Sequence, residues 1–262
     1  MPLVSYAIVI ALIAAAATVA AMLGIGGGSL YTPLQVLFGI DMHEAATSSL
    51  ALILVISLTA TRTFHRAGKI DWGLAIVLEI VTVIGSILAG YFSGHIPARV
   101  LTITLIVVLI IVGLTMLFLP STTKTHLHHD KGWYHWRRPQ GYTINLLVAL
   151  PLSIVAGVLS GLLGIGGGIV KVPLMVMILG IPMHTAVATS AFMVGITALG
   201  GFAGHAFAGH VNWKFILIAA PAVLIGAWIG AHIMLKTPKQ RLKKIFGIVV
   251  IIVAGLLIIR LI

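Results

Sequence analysis

The chain has 262 residues, 60% of them hydrophobic and 8% charged, with a mean hydropathy of +1.18. No soluble domain could cover its surface with so few polar groups, and the recurring apolar runs of about 18 residues or more read as membrane-spanning helices. The net charge of +11 lies in short loops rather than in any nucleic-acid motif, and the lack of cysteine excludes disulfides, thiolate metal sites and cysteine nucleophiles.

The first run, 3–23, has no basic start and no clear cleavage site, so it reads as a retained helix rather than a signal peptide. It leads into Gly24-Ile25-Gly26-Gly27-Gly28, followed by Pro33. Each glycine costs a helix about 1 kcal/mol relative to alanine, so a break is expected here. A short helix over 29–38 follows, then spans at 44–61, 72–92 and 98–119. The same order returns after a polar, basic stretch: a helix over 142–163, the break Gly164-Ile165-Gly166-Gly167-Gly168 with Pro173, a short helix over 169–179, and spans at 185–202, 213–235 and 241–261.

The halves match beyond their glycines. Thr47-Ser48-Ser49 corresponds to Ala188-Thr189-Ser190, Gly68 and Trp72 to Gly209 and Trp213, and Gly85 to Gly226. We read a duplicated unit, 1–119 and 142–262, joined by a linker, 120–141. The fold class expected is an all-α integral membrane protein of two homologous repeats. Each short helix is too brief to cross a core of about 30 Å, so it is either re-entrant or part of a broken helix.

Basic residues cluster in three places: Arg62, Arg66 and Lys69; Lys124, Lys131, Arg137 and Arg138; and Lys236, Lys239, Arg241, Lys243 and Lys244. These hold 12 of the 16 basic residues, and positive loops favour the cytoplasmic side. All three share that side only if each half crosses the membrane an odd number of times. Inverted repeats with both termini outside satisfy this condition.

Each glycine break opens a short helix whose first N–H groups are unsatisfied and carry partial positive charge, a ready anion site. Gly26, Gly27, Gly28, Gly166, Gly167 and Gly168 are therefore substrate-binding candidates, with an anion expected between the two helix ends. The plainer reading is close packing by small residues. Ser48, Ser49, Thr189 and Ser190 occupy matching places on the next span, and their hydroxyls either donate to an anion or tie helices together. Ser49 and Ser190 are the better matched of these. Lys171 is the basic residue inside a glycine–proline motif, where Tyr31 is its counterpart; it either neutralises an anion or snorkels. Glu79 is the acidic residue deep in a span, with Ala220 as its counterpart, and is the candidate for coupling to protons. The tract His126-Leu127-His128-His129 reads as a solvated part of the linker rather than a metal site.

The doubled Gly-Ile-Gly-Gly-Gly…Pro motif, in a cysteine-free membrane protein of this size, resembles the sulfite exporter TauE/SafE family. The resemblance covers both halves and is carried by Gly24–Pro33 and Gly164–Pro173, with support from Thr47-Ser48-Ser49 and Thr189-Ser190. It implies a multi-pass inner-membrane transporter of small sulfur-containing anions such as sulfite, sulfoacetate or related organosulfonates, working by alternating access. Without a Walker motif, secondary transport is expected. A passive anion channel stays open as an alternative. A membrane enzyme is less favoured, because neither a His-Glu-x-x-His helix nor a Gly-x-Ser-x-Gly elbow is present. No cofactor and no metal is expected. The partners are the anion and the lipid bilayer, not nucleic acid, and a homo-oligomer stays open.

Overall fold

The computed structural model describes residues 3–38, 40, 42–93, 98–118, 135–138, 142–163, 167–207 and 212–261. The described residues are mostly helical, with one small hairpin. In order come α1 (Leu3–Leu23), α2 (Gly28–Leu37), α3 (Met42–Arg66), α4 (Trp72–Ser93) and α5 (Ala98–Phe118). Strands β1 (His135–Arg137) and β2 (Thr143–Asn145) follow, then α6 (Leu146–Leu163) and α7 (Gly168–Pro173), which continues as a π-helical turn over Leu174–Ile178. The chain ends with α8 (Met183–Phe207), α9 (Trp213–Lys236) and α10 (Lys239–Leu261). Among the described residues, four helical stretches are long and apolar enough to cross a membrane: Thr47–Arg66, Met183–Gly200, Trp213–Lys236 and Lys239–Ile259.

The element boundaries follow from local chemistry. Gly24 stands at φ +67, and the Ile25 N–H reaches back to the Ala20 carbonyl at 3.1 Å, which closes α1 with a glycine C-terminal motif. Pro173 cannot donate to the helical ladder, and the backbone relaxes into the wider π turn directly after it. The spans expected at 44–61 and 185–202 run longer, as Met42–Arg66 and Met183–Phe207, and one expected helix start is a strand instead. Residues 142–145 do not begin a helix, because β2 pairs antiparallel with β1 in the register His135↔Asn145, Trp136↔Ile144, Arg137↔Thr143. The described part of the linker, 135–138, thus supplies one strand of a hairpin whose other strand opens the second repeat. The His126–His129 tract and residues 164–166 of the second glycine motif lie outside the described residues.

Contacts divide the chain into two compact units, each drawing on both sequence halves: 1–70 with 187–237, and 71–186 with 238–262. In the first, α1 and α3 pack on α9, and α2 packs on α3. The buried face of α1 is Val9, Ile13, Ala17, Ala20 and Ala21, while Ile8 and Leu12 are exposed. Small residues let the backbones approach: a Cβ on Gly226 of α9 would strike the Ala14 carbonyl. In the second unit α4 packs on α6, and α5 on α10. There a Cβ on Gly85 would lie 2.9 Å from the Ile154 carbonyl. Gly85 and Gly226 are counterparts in the repeat, so the same glycine meets the first helix of the opposite half in each unit. Outward faces are rich in large apolar residues, such as Ile76, Ile80 and Ile84 on α4 and Ile248, Ile252 and Leu256 on α10, as helices in lipid require.

Candidate functional site

In the first unit the glycine motif folds into a buried helix end. Gly26 and Gly27 stand at φ +80 and +85, a region that L side chains rarely adopt. The Gly27 carbonyl accepts from the N–H groups of Leu30 (2.9 Å) and Tyr31 (2.8 Å), which starts α2. Glycine has no side chain with which to cap the first N–H groups of this helix. Gly26, Gly27 and Gly28 are all buried.

The neighbouring hydroxyls divide into two kinds. Ser49 accepts from Thr32 Oγ1 at 3.0 Å and from Gln35 Nε2 at 2.9 Å, so it ties α3 to α2. Ser190 donates to the Gly24 carbonyl at 2.9 Å, supplying a partner that the break in the helix removed. Ser57 likewise donates across to the Ala191 carbonyl at 2.8 Å. Thr189 is fully buried on α8. By contrast, the buried Oγ of Ser29, Oη of Tyr31, Oε1 of Gln35 and Oγ of Ser48 have no hydrogen-bond partner. An unsatisfied buried group costs about 1–3 kcal/mol, so four on α2 and the helix packed against it are informative. Of the hydroxyls singled out from sequence, Ser48 is the one left uncommitted, while Ser49 and Ser190 hold the break in shape.

In the second unit the corresponding glycine, Gly167, stands at φ +74, and its carbonyl accepts from Val170 (3.1 Å) and Lys171 (2.8 Å). The backbone repeats the first copy, but the side chains do not. Lys171 Nζ lies 2.7 Å from Glu79 Oε2, each side chain about 3% exposed. Two residues that sequence reading treated as separate candidates form one ion pair between α7 and α4. Snorkelling is not what Lys171 does.

Sequence reading overlooked Asp71. Its Oδ1 accepts from the Leu74 N–H at 3.0 Å, capping α4. Arg138 grips the carboxylate with two nitrogens, its Nε lying 2.8 Å from Oδ2, and Tyr142 Oη donates to Oδ2 at 2.6 Å. Burial pushes the Asp71 carboxyl up, but these hydrogen bonds outweigh it and hold the group below the ordinary carboxylate range. Burial and the same carboxylate push the Tyr142 phenol well above its usual value. Arg138 also stacks over Trp136, 3.9 Å from the ring centre. The counterpart of Asp71, Asn212, caps α9 through the Phe215 N–H at 3.0 Å, and its Nδ2 donates to Glu44 at 3.2 Å. The sequence signal was available: an acidic or amide residue immediately before each Trp72-type helix start.

Comparison with known proteins places the chain beside membrane transporters. A family model described as sulfite exporter TauE/SafE matches residues 8–257. The chain is 27% identical to the probable membrane transporter protein YunE of Bacillus subtilis, over 97% of each chain. It is 26% identical to the probable membrane transporter protein YdhB of the same organism, over 83% of this chain and 85% of that one. A probable membrane transporter protein of Xylella fastidiosa is 36% identical over 44% of each chain.

Proposed function

Because this chain belongs to the sulfite exporter TauE/SafE family of membrane transporters, we propose that it is a secondary transporter of a small sulfur-containing oxyanion, such as sulfite or an organosulfonate, across the inner membrane. The observation that carries this reading is the buried N-terminus of α2. Gly26 and Gly27 at positive φ open it, no side chain of Gly27 caps it, and an anion is what such an end accommodates. Its position after an apolar helix, repeated at Gly167, follows the pattern of secondary transporters, in which interrupted helices hold the substrate.

In this reading Gly26, Gly27, Gly28 and Ser48 contact the anion, and Ser49 and Ser190 position them. Gly167, Gly168 and Lys171 belong to the corresponding helix start in the second unit. The ion pair of Lys171 with Glu79 serves coupling: a proton delivered to Glu79 frees Lys171, and the two states favour different stages of alternating access. The repeats are inverted, the termini face outward and the short helices are re-entrant. The relatives' names describe transporters, which speaks against an enzyme.

The experiment is flux in proteoliposomes. Reconstituted protein should accumulate sulfite or an organosulfonate and show counterflow, in which excess unlabelled anion drives labelled anion inward. Flux without counterflow would establish a channel instead. Absence of flux for every sulfur oxyanion, with folded protein in the membrane, would overturn the reading.

A further inference from the structure

Resting on the reading of α2 as an anion site, we propose that the first copy of the glycine motif selects a singly charged oxyanion through neutral donors alone, with the Tyr31 hydroxyl as its selectivity group and Ser29 and Ser48 beside it.

Tyr31 folds back over the helix start. Its hydroxyl lies 3.1 Å from the point where a side chain on Gly27 would begin, and two of its ring carbons lie 2.9 Å from it. The residue is fully buried, yet the hydroxyl has no partner. Among the described residues, five buried side-chain polar atoms lack a partner, and four of them belong to Ser29, Tyr31, Gln35 and Ser48. Ser29, Tyr31 and Gln35 lie on α2, and Ser48 lies in the second turn of α3, which packs on it. Unpartnered buried groups concentrated on one short helix and the helix packed against it point to a ligand that the protein does not itself supply.

The charge of that ligand follows from what surrounds it. Neither α1, α2 nor α8 carries a lysine or arginine. Arg62 and Arg66 at the far end of α3 and Lys69 just beyond it are exposed, and Lys214 and Lys236 lie in the terminal turns of α9. Hydroxyls, peptide N–H groups and a helix dipole can replace the hydration of one negative charge. A doubly charged anion costs far more to desolvate, and this unit places no lysine or arginine there to offset that cost. The one cation in a glycine–proline motif, Lys171, belongs to the second copy and is already held by Glu79. Gln35 sharpens the choice. Its Nε2 donates to the Ala45 carbonyl and to Ser49, which leaves Oε1 as an unpartnered acceptor. An oxyanion that keeps a proton, such as hydrogensulfite, can donate to it, a bond that methanesulfonate, singly charged but without a proton, forgoes.

The test is thermal-shift titration of the purified full-length protein with methanesulfonate and with sulfate, at matched ionic strength. Methanesulfonate should raise the melting temperature saturably, and sulfate should bind at least tenfold more weakly. Tyr31→Phe should weaken methanesulfonate at least tenfold while the ligand-free melting temperature stays level or rises, because the hydroxyl has no partner to lose. Ser48→Ala should behave in the same way and serves if Tyr31→Phe fails to fold. Sulfate binding as tightly as methanesulfonate, or wild-type affinity in both variants, would overturn this proposal and leave the oxyanion reading intact. Wild-type protein that binds neither anion would overturn both.

Discussion

Lys171 on α7 and Glu79 on α4 are joined by an ion pair of 2.7 Å, buried in the second unit from residues 92 positions apart. Removing one member of such a pair leaves a charge stranded, at a cost of about 3–5 kcal/mol, whereas replacing both by apolar groups is often neutral. Lys171→Met alone should therefore lower the melting temperature sharply, and Lys171→Met with Glu79→Leu should restore it. Thermal unfolding in detergent reads this directly. In proteoliposomes, Glu79→Gln should abolish uptake driven by a pH gradient while exchange of anion for anion survives; wild-type gradient-driven rates would make the pair purely structural.

The Asp71 carboxylate predicts a pH dependence. Its native pKa is depressed, so its contribution is present above the unfolded value of about 4 and is lost as pH falls through the native value. Asp71→Asn keeps the cap, as Asn212 does on α9, and removes the charge that Arg138 grips. The variant should be less stable at neutral pH by about 3 kcal/mol, and the gap to wild type should close as the pH is lowered below about 4.

Serines on equivalent spans should separate by phenotype. Ser190→Ala strands the Gly24 carbonyl and should cost about 1–3 kcal/mol of stability. Ser48→Ala removes a hydroxyl without a partner and should leave stability level while affinity falls. Melting curves with and without anion distinguish the two.

Two glycines with similar backbone angles should also behave differently. Gly68 stands at φ +64 with open space around it, so Gly68→Ala should cost only the left-handed strain of about 1–2 kcal/mol. Gly24 stands at φ +67, and a Cβ there would lie 2.5 Å from the Val187 carbonyl. Gly24→Ala adds overpacking of about 1–3 kcal/mol to the same strain, and folded yield should drop accordingly.

Topology is checked with a single cysteine placed after Ile262, since the chain has none of its own. Labelling by an impermeant reagent from outside the cell is expected for inverted repeats. Labelling only from the cytoplasmic side would restore parallel repeats.

The helix breaks were legible because glycine's cost to a helix is local and needs no partner. So were the long spans, whose boundaries shifted by a few residues, as for the third span, expected at 72–92 and found at Trp72–Ser93. The pairing of Lys171 with Glu79 was not legible, because it depends on which helices meet and nothing in either segment names the other. The serines show the same limit more finely. Ser48 and Ser49 are adjacent and chemically identical, but Thr32 and Gln35 on the facing helix engage one and leave the other. The hairpin escaped notice because three-residue strands carry too little alternation to stand out beside apolar helices.

The interleaving of the two sequence halves has a consequence for synthesis. Helix α1 finds its packing partner in α9, which begins only at Trp213, and the cap on Asp71 is completed only when Arg138 and Tyr142 have been made. At about 5–20 residues per second, the nascent α1 waits on the order of ten seconds or more with its alanine face against lipid. The first half therefore enters the bilayer as an assembly of unfinished surfaces. A ribosome stalled after α5 should leave a product that membrane proteases recognise, while release of the full chain ends that exposure for both halves at once.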